Sequence, residues 1–272
     1  MTPVFDTHAH LQDEAFADDC DVVVGRMVEA GVAAAVVCGY DPASNVSALA
    51  LAARHRQLFP AVGYHPHEAK DITPAQLVEL EGLAALPEVV AVGEIGLDFY
   101  RDHSPHDRQR ELLDAQLAIA LRVGKPVSVH SRSAEDAIFE HLVAHSRAAA
   151  WRPGRGPLGV MHCFGGTALQ ARRYVEIGFL VSLACTLTYP GNHEARTIAA
   201  DLPLESLVVE TDSPYLPPQD RRGRRNEPAS ARQVVDALAS IRGMSAGEAA
   251  SATTANAVRL FAVTLPAEVA AR

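Results

Sequence analysis

The sequence predicts an α/β protein built as a single closed (β/α)8 barrel with one extra helix at its C-terminus. Short β-type runs recur eight times along the chain, and segments long enough for a helix separate them. Six side chains of metal-ligand type fall where successive runs give out, and the C-terminal ends of barrel strands are where this architecture carries its reactive groups.

The runs lie near residues 3–8, 33–38, 59–63, 89–95, 126–130, 158–162, 178–183 and 206–211. The first reads Pro3-Val-Phe-Asp-Thr-His-Ala-His10, and its period-2 geometry points His8 and His10 the same way, as two imidazoles must point to grip one metal. Such a pair is weak alone, and a second occurs at His65-Pro-His67. Context strengthens the first. Glu94 follows Val89-Val-Ala-Val-Gly, His130 follows Pro126-Val-Ser-Val, His162 follows Leu158-Gly-Val-Met and Asp212 follows Leu207-Val-Val-Glu-Thr.

The intervening segments carry helix grammar. Thr73-Pro74 is an N-cap followed by proline in the first turn, Ala30-Gly31 ends a helix, and Ser245-Ala-Gly-Glu248 forms a capping box. Residues 107–123 show an apolar helical stripe read as core, and 246–262 is one further helix outside the barrel. A doubly wound open sheet is the rival topology. The barrel is preferred because residues from runs one, four, five, six and eight converge only if the first strand lies beside the eighth. No Pro/Gly/Ser-rich linker divides the chain, so residues 1–272 are expected to form one domain.

Hydrophobic residues at 48% and charged residues at 21% describe an ordinary globular composition. The longest pure apolar run, Val32 to Cys38, is far short of a bilayer span, and no basic start precedes an apolar stretch. A cytoplasmic protein with no membrane association is expected. The four cysteines, none in a Cys-x-x-Cys pair, read as reduced core residues, and Cys163 is expected to face away from His162 by strand alternation. The net charge of −9 argues against broad attraction to nucleic acid, although Arg221-Arg-Gly-Arg-Arg225 follows Asp212 closely and allows a local phosphate site.

Four imidazoles and two carboxylates suit borderline divalent ions, with Mn, Zn or Fe favoured over the oxygen-caged metals. Six ligands are better spread over two ions sharing one carboxylate than crowded on one saturated ion, and Glu94 is the bridging candidate. Activated water is then the nucleophile, with Asp212 placed to orient or deprotonate it.

The strings Asp6-Thr-His-Ala-His10, Gly63-Tyr-His-Pro-His67, Gly93-Glu-Ile-Gly-Leu-Asp98, Val129-His-Ser-Arg132, His162-Cys-Phe164, Glu210-Thr-Asp-Ser-Pro214 and Arg225-Asn-Glu-Pro228 together resemble the TatD family. The resemblance spans nearly the whole chain. It implies a TIM barrel of the amidohydrolase superfamily, metal-dependent hydrolysis and a phosphodiester substrate, with deoxyribonuclease activity on DNA ends or single strands. It implies that His8, His10, Glu94 and Asp212 hold one ion and Glu94, His130 and His162 the other, with Mg joining Mn and Zn as candidates. Asp212 and Glu94 become the catalytic pair. His65 and Arg132 fall on positions resembling substrate-facing residues, and Arg225 with Asn226 lies in the loop after strand eight. The sequence departs from the family at Val181–Thr188 and in the enlarged 151–157 segment, both in loops that shape substrate access.

Blander readings stand beside these. Carboxylates at strand ends also cap helices, and buried histidines also bond to backbone. His67 reads as structural, His103 and His106 as solvated loop, and His55, His141, His145 and His193 as surface. Two other functions fit the same residues: an amidohydrolase or phosphatase acting on a small molecule, or a non-catalytic metal-stabilised scaffold that binds nucleic acid. No obligate protein partner is evident.

Overall fold

The structure is a computed structural model describing residues 1–152 and 154–266. Pro153 of the 151–157 segment and residues 267–272 of the expected domain lie outside the described residues. Eight parallel strands close in chain order: β1 (Val4–Ala9), β2 (Val32–Cys38), β3 (Leu58–Val62), β4 (Ala91–Asp98), β5 (Val127–Arg132), β6 (Gly159–Met161), β7 (Phe179–Leu183) and β8 (Leu207–Val209). Helices α1 (Cys20–Glu29), α2 (Pro42–Arg54), α3 (Pro74–Ala84), α4 (His106–Val123), α5 (Glu135–Ala148), α6 (Ala168–Glu176), α7 (His193–Asp201) and α8 (Ala231–Arg242) follow the strands in turn. The expected extra helix is α9 (Ala246–Phe261).

Strands buried on both faces read as continuous apolar runs, and β2 is buried at every residue. One set of strand side chains, including Val62, Val92, Val129 and Val181, packs with Leu80, Leu113 and Leu142 of the helices. The other set, with Phe5, Val36, Ala61, Val160 and Leu180, fills the lower ring together with Leu260 and Phe261 of α9. The Phe5 ring centroid lies 5.8 Å from that of Phe59 and 5.8 Å from that of Phe261. The extra helix therefore closes the end where the strands begin, leaving the opposite end as the open one.

Local chemistry sets the element ends. Thr73 with Gln76 and Ser245 with Glu248 form reciprocal capping boxes at α3 and α9, and Gly31 at φ +77 stops α1. The stripe on α4 is core, and two of its glutamines also supply hydrogen bonds to the barrel. Gln116 accepts from the Tyr64 N–H at 2.7 Å and donates to the Tyr64 carbonyl at 3.0 Å, and Gln109 pairs in the same way with the Asp98 backbone.

Closure is fastened where β1 meets β8. The buried Asp6 carboxylate accepts from the Thr211 hydroxyl at 2.6 Å, the Thr211 N–H at 2.9 Å and the His8 N–H at 3.2 Å. Burial nevertheless pushes its carboxyl up to about 8, against hydrogen bonds that favour the ionised form. The His10 N–H donates to the Ser213 carbonyl at 2.7 Å, and the Asp212 N–H to the His8 carbonyl at 2.9 Å. The pairing thus carries the chain beyond the formal end of β8 and fixes Asp212 beside His8 and His10.

His145 corrects the surface reading: it faces inward from the last turn of α5, is 5% exposed, and its Nδ1 has no hydrogen-bond partner. Burial holds its pKa below the ordinary 6.5, so the fold carries the neutral ring. As pH falls below about 6.5 the unfolded chain takes up a proton that the folded chain resists, and stability is lost towards the lower folded pKa. His145→Leu should therefore show a smaller drop in Tm between roughly pH 7 and pH 5. Parallel Tm curves for variant and parent would refute this account.

Candidate metal centre

The six predicted ligands converge at the open end. The Nε2 atoms of His8 and His10 lie 3.2 Å apart. Glu94 Oε2 is 3.4 Å from His8 Nε2 and 3.5 Å from His10 Nε2, and Asp212 Oδ1 is 3.5 Å from His10 Nε2 and 4.0 Å from His8 Nε2. The other oxygen of the same carboxylate, Glu94 Oε1, is 2.9 Å from His130 Nδ1 and 3.0 Å from His162 Nε2. His65 Nε2 lies 3.5 Å from that oxygen.

These separations fit a divalent ion. Donors about 2.0–2.1 Å from a tetrahedral ion stand roughly 3.3 Å from one another. Among the described residues, three sets meet the spacing a metal requires: His8 with Glu94 and His162, His8 with His10 and Asp212, and His65 with Glu94 and His130. The third set brings His65, expected only at the substrate, into reach of the ligand cluster.

Hydrogen bonds behind the rings set which nitrogen faces inward. The Nδ1 of His10 lies 2.9 Å from the Cys38 carbonyl, which only accepts, so Nδ1 carries the proton and Nε2 offers its lone pair. His162 Nδ1 lies 3.2 Å from Glu210 Oε1 in the same arrangement. His8 Nδ1 meets Ser128 Oγ at 3.2 Å. Asp98 stands 3.4 Å from His130 Nε2 and 2.9 Å from His67 Nε2, while accepting the N–H groups of Tyr100 and Arg101.

Burial alone would raise the Glu94 carboxyl, but the His162 and His65 imidazoles beside it and the hydrogen bonds with His130 and His162 hold it well below the carboxylate range, and the carboxylates raise His162 and His10 in turn until a cation takes the place of the proton. Burial pushes His65 well below its ordinary value and lowers His8 too. Asp212 is lowered, its burial outweighed by the hydrogen bond with His10 and the charges of His162, His10 and His8. The centre therefore presents ionised carboxylates at neutral pH. Gly96 of β4 makes room for it: its φ is +152, and a Cβ there would stand 1.9 Å from the His130 carbonyl oxygen.

The centre opens into a cavity of about 890 Å³ bordered by Tyr40, Arg132, Glu135, Cys163 and Tyr215 among others. Arg132 lines this cavity as the sequence suggested, with its guanidinium 4.3 Å above the Tyr100 ring. Five expectations need correction. Arg225 does not line the cavity: it pairs with Asp19 at 2.7 Å and Glu227 at 3.2 Å and packs over Phe16, anchoring the loop after β8 to α1. Asn226 is 1% exposed and donates to the carbonyls of Thr211 and Tyr215, a loop-holding role that leaves it no surface for substrate. Cys163 lines the cavity beside His162, because β6 ends at Met161 and the backbone turns to φ +42. His67 faces the cavity through its pairing with Asp98, and His106 opens α4 with its ring stacked 3.9 Å from that of Phe99.

Sequence reasoning missed Glu210. It is fully buried, accepts the Cys163 N–H at 2.7 Å, and backs His162. The signal was present, since Glu210 and Asp212 sit two apart where β8 ends.

A closed barrel whose open end gathers imidazoles and carboxylates at ligand spacing defines a metal-dependent hydrolase. The profile of the family described as TatD related DNase matches residues 5–262. The chain is 35% identical over 260 residues to the "Uncharacterized metal-dependent hydrolase YabD" of Bacillus subtilis, covering 96% of this chain and 99% of that one. It is 34% identical over 264 residues to the "3'-5' ssDNA/RNA exonuclease TatD" of Erwinia tasmaniensis, covering 95% and 99%. The crystal structure of the TatD homologue YjjV from Escherichia coli superposes with a TM-score of 0.88 at 35% identity, covering 96% of this chain and 98% of that one. The chain belongs to the TatD family.

Loss of the carboxylate behind His162 should loosen the centre. Glu210→Ala is expected to weaken Mn²⁺ binding by roughly 10- to 100-fold in calorimetric titration, with Glu210→Gln intermediate and both retaining the circular dichroism of the parent. Unaltered affinity in Glu210→Ala would show that packing alone holds the His162 ring.

Proposed function

We propose that the protein is a two-metal phosphodiesterase that removes nucleotides from the ends of single-stranded DNA, with RNA as a second substrate. The observation that carries this reading is the Glu94 carboxylate, whose Oε2 faces His8 and His10 while its Oε1 faces His130 and His162. One carboxylate offering an oxygen to each of two imidazole sets suits a pair of ions, with His8, His10 and Asp212 around one and His130 and His162 around the other. The relatives named as ssDNA/RNA exonucleases support the choice of substrate.

Divalent ions bound there, Mg, Mn or Zn, would supply Lewis acidity, lowering the pKa of a water and neutralising charge on phosphoryl oxygens. The chain's own residues do the rest. Asp212, partly buried and ionised beside His10, is the base that orients the attacking water and accepts its proton. His162 and His10 keep their lone pairs inward because Glu210 and the Cys38 carbonyl hold the opposite nitrogens. Arg132, exposed on the cavity wall, is placed for a phosphate of the substrate, and His65 lies beside Glu94 to contact the same group.

Purified protein should digest single-stranded oligonucleotides after addition of Mg²⁺ or Mn²⁺, and EDTA should abolish this. Asp212→Asn should lower kcat by about 10²- to 10⁴-fold while leaving the thermal transition in place, the range expected on losing a general base. Assaying oligonucleotides, small phosphodiesters, phosphomonoesters and simple amides side by side decides the substrate. Turnover of amides or monoesters alone would overturn the reading, and binding of oligonucleotide without turnover in any metal would favour a scaffold.

A further inference from the structure

We propose that Tyr100 and Tyr215 are base-stacking platforms on opposite rims of the metal centre, holding a single-stranded segment across it mainly by ring faces rather than by charge. The proposal rests on the phosphodiesterase reading and names the side chains that would restrict it to unpaired strands.

In a ring closed in the order β1 to β8, β4 and β8 stand on opposite sides. Tyr100 lies two residues beyond β4, and Tyr215 lies beyond β8, three residues after Asp212. Both rings are left in solvent, Tyr100 at 62% and Tyr215 at 54% exposure, although most large apolar and aromatic side chains of the chain are buried. Single exposed aromatics are ordinary on a surface. Tyr215 lines the cavity, and Tyr100 stands just outside its lining beside Arg101 and Arg132, which do line it. The Tyr215 hydroxyl donates to Asp13 Oδ2 at 3.2 Å, and its ring centroid lies 6.1 Å from that of His10. The Tyr100 N–H is held by Asp98 Oδ1 at 2.9 Å, and the Arg132 guanidinium lies over its ring. A ring with a guanidinium above it is a paired site for a base and its phosphate.

The arginines that line the cavity are Arg101 and Arg132. The chain carries −9 overall, and Arg225, the basic residue nearest Asn226, is committed to Asp19 and Glu227. Stacking on aromatic faces is sequence-tolerant and requires unpaired bases, since paired bases are already stacked within the duplex.

The test uses the Asp212→Asn protein with Mn²⁺, which slows turnover, and a fluorescently labelled oligothymidylate followed by anisotropy. Tyr100→Ala and Tyr215→Ala should each weaken binding by at least about 5-fold, the lower end of the contribution of one stacked base, and Phe at either position should restore most of it. Affinity should fall by less than about 10-fold between 50 and 200 mM salt, far less than for a protein held by many phosphate contacts. In the active protein the same Ala substitutions should depress kcat/KM on oligonucleotide more than on bis(p-nitrophenyl) phosphate. Ala variants that bind within about 2-fold of a parent that does bind and digest oligothymidylate would overturn the platforms and leave the phosphodiesterase reading standing. A parent that cuts the small ester but neither binds nor cuts any oligonucleotide would remove both.

Discussion

One buried carboxylate governs the organisation of this molecule. Five imidazole nitrogens, from His8, His10, His65, His130 and His162, lie within 3.5 Å of the two oxygens of Glu94. Burial lowers His8 and His65, whereas the neighbouring carboxylates outweigh burial and raise His10, His130 and His162. Electron pairs gathered around a buried anion repel one another, and such a cluster is tolerable only where a cation or a proton completes it. The fold accepts this local cost because the rest of the barrel is apolar and densely packed. Binding of a cation to the folded chain would then add to its stability by mass action.

Bringing those five rings to one point is a problem of closure. β1 and the residue after it carry His8 and His10, the loop after β3 carries His65, and β5 and the residue after β6 carry His130 and His162, all around Glu94 of β4, while Asp212 arrives from the far end of the chain. Asp6 solves the last step by bonding to Thr211, across 205 residues, two positions before His8 and one before Asp212. The same β1 strand is held below by Phe5 against Phe59 and Phe261, so a helix at the end of the sequence fixes the strand that starts the site. Stability and site geometry are therefore coupled through β1.

Much of this was legible in the sequence because a parallel barrel has a simple grammar. Each strand opens as an apolar run, and the polar residue that interrupts or follows the run faces the mouth, so His8, His10, Glu94, His130, His162 and Asp212 could be read as one group before any coordinates, although β4 and β5 run on past Glu94 and His130 to Asp98 and Arg132. What depended on distant partners was not legible. Glu210 looks like any strand-end carboxylate until His162, 48 residues earlier, is seen against it. Arg225 in a run of arginines reads as a phosphate binder, yet Asp19, 206 residues away, takes its charge. Asn226 beside it is consumed by backbone carbonyls. His145 was misread because helical position alone does not reveal which face packs, and Cys163 because alternation ends when the strand does.

An acidic chain acting on a polyanion, as proposed, would have to place its attraction locally. The carboxylates that make the net charge negative include those that would hold the cations, so bound metal would offset part of that charge at the mouth. Arg101 and Arg132 line the cavity, and both guanidinium groups stand by the aromatic surface of Tyr100. That arrangement limits long-range capture of duplex nucleic acid, whose recognition leans on many phosphate contacts. It favours instead a flexible end that can enter the cavity and place one phosphate against the centre. Selectivity for ends would on this view follow from how little charge the surface offers and how deep in the barrel mouth the ligands lie.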